Sequence, residues 1–253
     1  MASLRGCGRP GATDMDSTLA LALLIGLAGG LVRGTTCFGA AMAMSQALAL
    51  LIGAKAAVPV TLLLETFAAL PMLPSAWALA RARVLVPISS AALAMVPVGS
   101  WLLAGADAKF MRSLIAGTVI VFSLALLSGR RYQGRQRTTT AAALGALSGT
   151  MLGATGIGGP PVILYLLSGP DPAAVTRANL SMYLMIISAL GLVMLGLNGL
   201  LVAETLRIAA WMSPPFVLGL YLGSKLFARF SDQRFRQFTI GLMLLVALGV
   251  FIA

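Results

Sequence analysis

The chain has 253 residues, of which 59% are hydrophobic and 10% are charged, and its mean hydropathy of +0.96 is incompatible with a water-soluble domain. Its net charge of +11 is spread over short segments between apolar runs, a pattern that sets membrane orientation and argues against a nucleic-acid partner. The chain contains no histidine, and Cys7 and Cys37 match no metal or redox motif, so we expect no metal and no cofactor.

The first half of the chain consists of a tail followed by five apolar runs. Residues 1–17 are polar and Gly-rich and are predicted to form a disordered tail; a secretory signal peptide is the alternative, because an apolar segment follows two arginines. Runs of about 20 residues can span a bilayer as helices, whereas runs of about 10 to 16 residues are too short. The five runs are Leu19–Gly34, Ala40–Gly53, Ala56–Ala80, Val84–Ala104 and Phe110–Ser128.

The second half repeats this order after a basic segment, 129–138, which we expect to be a cytoplasmic linker. We therefore predict two transmembrane repeats, 18–128 and 139–253, in an all-α polytopic membrane protein of about 8–10 membrane helices. Each repeat is predicted to contain a broken-helix hairpin and three transmembrane helices. The runs of the second half are Ala141–Gly153, Pro160–Ser168, Ala178–Leu197, Leu206–Phe227 and Phe238–Ala253.

The short runs of the two halves share a glycine pattern at an offset of 119 residues. Three glycines spaced by four occur in each copy, which places bare backbone along one face of a helix. Small residues at this spacing let transmembrane helices approach closely, so packing is the preferred role of these glycines. The matched residues are Gly26, Gly30, Gly34, Thr36 and Gly39 in the first copy, and Gly145, Gly149, Gly153, Thr155 and Gly158 in the second.

The basic residues of the loops bear on the orientation of the two repeats. If each broken stretch returns to the side from which it came, 11 basic residues lie on one side and 6 on the other, with Arg33 counted separately. If each broken stretch crosses once, the split is 9 to 8. Because basic loops stay in the cytoplasm, the uneven split favours inverted repeats with the N-terminus outside. The 11 residues are Arg81, Arg83, Arg130, Arg131, Arg135, Arg137, Arg177, Lys225, Arg229, Arg234 and Arg236.

The segment TGIGGPP interrupts the second repeat. Gly156, Gly158 and Gly159 cannot continue a helix into the following two prolines, so irregular backbone is expected within the membrane. Such backbone is tolerated where protein buries it or where it lines a polar cavity. The two prolines suit the first turn of a new helix, whose free N–H groups and partial positive charge attract anions. We therefore predict that the three glycines belong to a substrate site.

Two charged residues lie inside apolar runs. Arg33 carries a fork of N–H donors suited to carboxylate, sulfonate or phosphate oxygens, and its insertion near the bilayer centre costs about 2.5–3.5 kcal/mol. Glu65 lies near the middle of its run and suits either a proton carrier or a partner for Arg33. A substrate role and an ion-pair role for Arg33 are both compatible with the sequence, since protonation of Glu65 would release Arg33.

Several neutral polar residues complete the candidate site. Thr35, Thr36 and Thr155 lie at the two breaks, and Asn179 lies on the helix that follows the second break. Their side chains can donate hydrogen bonds to an anion, although polar residues in membrane helices also join helices to one another. The sequence contains no nucleophile with a base, no acidic metal cluster and no nucleotide-binding loop, so we do not expect an enzyme.

Three stretches resemble a known family of bacterial membrane transporters, the TauE/SafE-type sulfite exporters. They are VRGTTCFGAA (Val32–Ala41), AAVPVTLLLE (Ala56–Glu65) and GATGIGGPPVILYLL (Gly153–Leu167). The resemblance covers nearly the whole chain, because each glycine motif lies at the start of a half. It implies movement of sulfite, organosulfonates or related small anions across the cytoplasmic membrane.

The sequence thus predicts a secondary transporter that exports a small organic or sulfur-containing anion. An inside-negative potential drives an anion outward by about 2.3 kcal/mol per charge per 100 mV, so export needs no coupling ion. The alternatives are a proton-coupled importer of a sulfonate or carboxylate that uses Glu65, and a non-transporting membrane scaffold or assembly subunit. The expected partners are the anion and the lipid bilayer of the bacterial inner membrane, and a homo-oligomer is left open.

Overall fold

The structure is a computed structural model that describes residues 12–36, 39–128, 137–166 and 171–227. All regular elements in these ranges are helices, which agrees with the predicted all-α class. The predicted run Phe238–Ala253 and most of the linker 129–138 lie outside the described residues. The helices are α1 (Ala12–Thr36), α2 (Ala40–Ile52), α3 (Ala54–Ala69), α4 (Leu73–Leu79), α5 (Ala82–Gly105), α6 (Ala108–Leu127), α7 (Thr138–Thr155), α8 (Gly159–Leu166), α9 (Ala173–Leu197) and α10 (Ala203–Phe227).

Two boundaries differ from those expected from the sequence. Helix α1 begins at Ala12 and so includes residues 12–17 of the predicted tail. The predicted single helix over Ala56–Ala80 is divided into α3, a 3-10 turn at Leu70–Met72, and α4. Pro71 within this turn and Pro74 just after it lack the N–H groups that would continue the α-helical hydrogen bonds, which accounts for the interruption.

Helices α1 and α10 pack side by side through glycine. A Cβ atom on Gly30 would lie closer than 3.0 Å to the carbonyl oxygen of Phe216, and one on Gly34 would clash in the same way with Leu220. Conversely, Gly219 of α10 lies against the backbone of Leu27. Later residues of α1 meet later residues of α10, so the two helices run parallel.

Helices α5 and α7 form a second pair of the same kind. Gly145, Gly149 and Gly153 of α7 face the carbonyl oxygens of Ile88, Ala92 and Val96, each closer than a Cβ atom could approach. Gly99 of α5 lies equally close to Thr150 in return. The sequence analysis predicted a packing role for the two strips of glycines spaced by four, Gly26 to Gly34 on α1 and Gly145 to Gly153 on α7. The structure confirms this role. Each strip packs against a helix of the other half of the chain.

Helix α9 runs in the same direction as α5. At one end, the backbone N–H of Arg81, which precedes α5, donates to Asn179 Oδ1 at 2.7 Å. At the other end, Asn198 Nδ2, just after α9, donates to Ser100 Oγ at 3.2 Å. Because α7 is also parallel to α5, the helices α5, α7 and α9 all run the same way.

The segment from α3 to α4 runs in the opposite direction. Lys55 Nζ, at the start of α3, donates to the carbonyl oxygen of Ala104, at the end of α5. The segment finishes immediately before Arg81, at the start of α5. Helix α3 therefore crosses the bundle antiparallel to the α5, α7 and α9 helices.

The outer surface of the bundle is suited to lipid. Three described helices are long and apolar enough to cross a membrane, at Ala82–Gly105, Ala108–Ala125 and Ala174–Leu197. Large apolar side chains are exposed on the outside, among them Trp101 and Trp211, whose exposed fractions are 73% and 58%. A water-facing surface would not carry side chains of this size in such number. The chain is therefore an all-α membrane protein with several spans.

Candidate functional site

A buried ion pair joins the end of α1 to the middle of α3. Arg33 Nη1 lies 2.7 Å from Glu65 Oε2, and the two side chains are exposed by only 4% and 8%. Bringing two charges out of water costs several kcal/mol for each, and this cost is offset when they pair closely. The structure thus brings together the two charged residues that the sequence analysis selected.

The carboxyl group of Glu65 lies between α1 and α2. The backbone N–H of Ala41, in the first turn of α2, faces it. Glu65 Oε1 is buried and has no hydrogen-bond partner in the part of the chain that the structure describes. One oxygen of this carboxylate therefore binds Arg33, and the other is left available.

The second break has a defined backbone path. Helix α7 ends at Thr155, and Gly156 adopts the left-handed conformation with φ of 74°. Its N–H donates to the carbonyl oxygen of Leu152 at 2.8 Å, which closes the helix. Glycine adopts this conformation without the strain that a side chain would add. Helix α8 then begins at Gly159, with both prolines in its first turn, as predicted.

Side chains from two helices fix this break in place. The Tyr183 hydroxyl of α9 donates to Ser148 Oγ of α7 at 2.6 Å, and Ser148 donates in turn to the carbonyl oxygen of Gly158. Both side chains are fully buried. Thr155 Oγ1 binds the carbonyl oxygen of Met151 and accepts the N–H of Ile157. Hydroxyl groups therefore satisfy two backbone groups of the break, the carbonyl of Gly158 and the N–H of Ile157.

Removal of the Tyr183 hydroxyl should loosen the break. We expect Tyr183→Phe to lower the free energy of unfolding by about 1–2 kcal/mol, because Ser148 loses a buried hydrogen bond. Ser148, which holds the Gly158 carbonyl, then lacks the contact that orients its hydroxyl group. Thermal unfolding would be measured. The matched control is Tyr221→Phe on exposed α10 surface, expected to change stability by less than about 0.5 kcal/mol; equal effects of the two variants would contradict this.

The second break approaches the first half of the chain at α2 and α3. The atoms nearest to a Cβ placed on Gly156 are Ser45 Oγ of α2, at 3.1 Å, and a methyl carbon of Val58 on α3, at 3.5 Å. Val58, Thr61 and Glu65 recur every three or four residues and so lie on one face of α3. On that face, Glu65 binds Arg33 at one end, and Val58 lies next to the second break at the other.

The remaining predicted site residues have different locations. Gly158 packs tightly against Leu152 and Ile187, and Gly159 packs against Ile163. Both glycines are buried, and apolar side chains fill the space next to their Cα atoms where a ligand would have to bind. Thr35 and Thr36 belong to the last turn of α1, and their side chains lie outside the described residues.

Asn179 is separated from the second break. Its Oδ1 accepts the backbone N–H of Arg81, whose side chain pairs with Asp171 at the same end of the bundle. Ile187, which contacts Gly158, lies two helical turns further along α9, a distance of about 12 Å. The structure therefore places Asn179 at the junction of α4, α5 and α9.

Four buried polar residues near the breaks were not selected from the sequence as site residues. They are Ser45 and Thr61, beside the ion pair, and Ser148 and Tyr183, at the second break. The signal for Ser45 was present: SQ is the only polar pair in the apolar helix AAMAMSQALALLI. The sequence signal for Thr61 was weaker, because a lone threonine is common in membrane helices.

Two other features do not resemble an anion site. A groove of about 410 Å³ between α3 and α10 is mostly apolar and is lined by Leu63, Phe67, Leu206, Ala209, Ala210 and Ser213. Within the described ranges, no group of three or more acidic, cysteine or histidine residues could hold a metal ion. The polar centre at Arg33, Glu65, Ser45 and Thr61 is the better candidate.

Comparison with known proteins shows the family of the chain. No curated protein and no solved structure gives a match to the chain. The family described as sulfite exporter TauE/SafE, however, matches residues 22–250 and so covers both glycine motifs, the ion pair and all helices from α2 to α10. The chain belongs to the TauE/SafE sulfite exporter family of membrane transport proteins.

Proposed function

We propose that this protein exports a small sulfur-containing or organic anion across the bacterial cytoplasmic membrane, without acting as an enzyme. The observation that carries the proposal is the buried Arg33–Glu65 pair, at the point where α1 ends and α2 begins. A guanidinium offers several donors in a plane, so one group can hold a carboxylate and an oxyanion together. Arg33 is the proposed ligand of the anion.

We further propose that the two halves have inverted topology. Helix α7 runs parallel to α9, and α10 follows α9 after the short connection 198–202, which contains left-handed Gly199. If this connection reverses the chain, α10 is antiparallel to α7. Helix α1, which packs parallel to α10, is then antiparallel to α7 as well. The uneven division of basic residues between the loops supports the same arrangement.

Inverted topology leads to a testable orientation. Single cysteines would be placed at Arg83 and at Asp107, at opposite ends of α5, in a chain in which Cys7 and Cys37 are replaced. We expect an impermeant maleimide added to intact cells to label the position at Asp107 and to leave the position at Arg83 unlabelled. Labelling of both after permeabilisation is the control. Labelling at Arg83 from outside would reverse the proposed orientation.

Export follows from the energetics of a monoanion. An inside-negative potential drives it outward by about 2.3 kcal/mol per 100 mV, so no coupling ion is required. Purified protein in liposomes should therefore move sulfite or a small sulfonate in response to an imposed potential. Flux that requires an inward proton gradient would instead favour the importer. That second candidate is favoured by one observation, the burial of a carboxylate beside the proposed site.

The third candidate is a membrane scaffold in which Arg33 and Glu65 only stabilise the core. The same liposomes distinguish it, because a scaffold would support no flux under any gradient. Empty liposomes and liposomes with an Arg33→Gln variant serve as controls for leak. Absence of flux from correctly folded, monodisperse protein would overturn the proposal.

A further inference from the structure

Hydroxyl groups on membrane helices usually bind the backbone one turn earlier. The side chains of Thr66, Thr150, Thr155 and Ser213 all donate to the carbonyl oxygen four residues before them. Ser45 Oγ and Thr61 Oγ1 differ: both are fully buried, and neither has a hydrogen-bond partner among the residues that the structure describes. Ser89 Oγ and Ser123 Oγ also lack a partner there, but they lie on α5 and α6. A buried hydroxyl without a partner is costly, so each such group needs an explanation.

The two hydroxyl groups lie on facing turns of one hairpin. Helices α2 and α3 are joined by a single residue, Gly53, whose φ is 81°. Ala41 of α2 is opposite Glu65 of α3. In an antiparallel pair, the next turn along places Ser45, four residues after Ala41, opposite Thr61, four residues before Glu65. Gly156 of the second break covers Ser45 from the other half of the chain.

A third atom belongs to the same group. Glu65 Oε1 is one helical turn from Thr61, is buried, and has no partner in the described ranges, while Oε2 of the same carboxylate binds Arg33. Two hydroxyl groups and one carboxylate oxygen, all without a partner among the described residues, therefore lie on neighbouring helical turns between Arg33 and Gly156. The hydroxyl groups can donate hydrogen bonds, but a carboxylate oxygen can only accept them.

We propose that Ser45, Thr61 and Glu65 form one substrate subsite, and that it selects an anion that carries its own hydrogen-bond donor. The oxyanion accepts from the two hydroxyl groups, and the O–H of the substrate donates to Glu65 Oε1. A singly protonated oxyanion and a hydroxy-substituted sulfonate both have this pattern. An anion without a donor would place its negative oxygen or an apolar group against Oε1, which leaves a buried acceptor unpaired.

A cation is a poorer occupant of this subsite. The Arg33 guanidinium is within an ion-pair distance of the same carboxylate, so a metal ion would meet a fixed positive charge. Because the ion pair is neutral overall, an anion that donates a hydrogen bond to Oε1 meets no net repulsion. The inference rests on the proposed transport function and adds the form of the anion that is recognised.

The ligand test uses two sulfonates that differ in one hydroxyl group, ethanesulfonate and 2-hydroxyethanesulfonate. Binding to the purified full-length protein would be measured by calorimetry, and flux would be measured in liposomes. We expect the hydroxy compound to bind at least about tenfold more tightly, because sites built to hydrogen-bond a substrate hydroxyl discriminate strongly against its absence. Equal binding of the two sulfonates, or binding of neither, would overturn the inference.

The residues are tested by Thr61→Val and Ser45→Ala, with Ser123→Ala as matched control. Ser123 is equally buried on α6 and likewise has no partner among the described residues. We expect about a 5- to 30-fold loss of sulfonate affinity for each of the first two and no change for the control. Glu65→Gln should reduce the preference for the hydroxy compound, because an amide can donate as well as accept.

The outcomes separate the two proposals. If the wild-type protein transports both sulfonates with equal affinity, the subsite proposal fails and the transport proposal stands. If it binds the hydroxy compound selectively but supports no flux, the transport proposal fails and the subsite stands. Should Thr61→Val, Ser45→Ala and Ser123→Ala all bind like wild type, the subsite proposal is overturned, whatever the flux.

Discussion

Replacement of Arg33 by Gln is expected to abolish transport and to lower the free energy of unfolding by about 3–5 kcal/mol. The amide is neutral, so Glu65 would be left as an unpaired carboxylate at a position that is almost completely buried. Proteoliposome flux and thermal unfolding in detergent would measure the two effects. A variant with wild-type flux would exclude Arg33 as a ligand of the anion.

The double variant Arg33→Gln with Glu65→Gln separates stability from recognition. If Arg33 only neutralises Glu65, removal of both charges should restore stability and flux together. If Arg33 binds the anion, stability should return but flux should not. Arg33→Lys adds a test of geometry: the charge is kept and the planar fork is lost, so affinity should fall by about ten- to a hundredfold.

Gly149→Leu is expected to prevent formation of the native bundle. A Cβ at Gly149 would lie closer than 3.0 Å to the backbone of Ala92, and the backbone of a packed helix cannot rotate away as a side chain can. We expect a loss of about 3 kcal/mol or more. The matched control is Gly117→Leu on α6, where nothing lies within 4 Å of the added Cβ.

The two glycine variants are compared by abundance, monodispersity and melting temperature. The control should behave like wild type or slightly better, since leucine favours a helix more than glycine does. Similar melting temperatures for Gly149→Leu and Gly117→Leu would mean that the α5–α7 contact is not close in the membrane.

Much of the fold could be predicted from the sequence because apolar runs and glycine spacing act locally. The helical class, the breaks near Gly39 and Gly156, and the close packing of the strips at Gly30 and Gly149 were all foreseen. Which helix each strip packs against was not foreseen, since a strip of bare backbone fits any partner with a matching surface. The break at Pro71 was also missed, because proline is tolerated inside other helices of this chain, such as α5 and α10.

The candidate site was predictable to the extent that charge is rare in a membrane. Arg33 and Glu65 could be selected because they are charged residues inside apolar runs. They form the ion pair that the sequence analysis gave as one of two roles for Arg33. Ser45 and Thr61 were not selected, because hydroxyl groups normally bind their own helix and only a structure shows that these two do not. Asn179 was selected for its polarity, but its contact is with Arg81.

The exchange of glycine contacts between the halves constrains how the protein is made. Helix α7 can pack against α5 as soon as Thr155 has left the ribosome, because both partners are then in the bilayer. Helix α1 is synthesised first, but its glycine face can be covered by α10 only when almost the whole chain has been made. Until then its bare glycine face must be covered by lipid or by another membrane protein. The order of translation therefore makes the glycine contact of α1 a late one. A nascent chain stopped before α10 would leave that face uncovered, while Arg33 could already pair with Glu65 of α3.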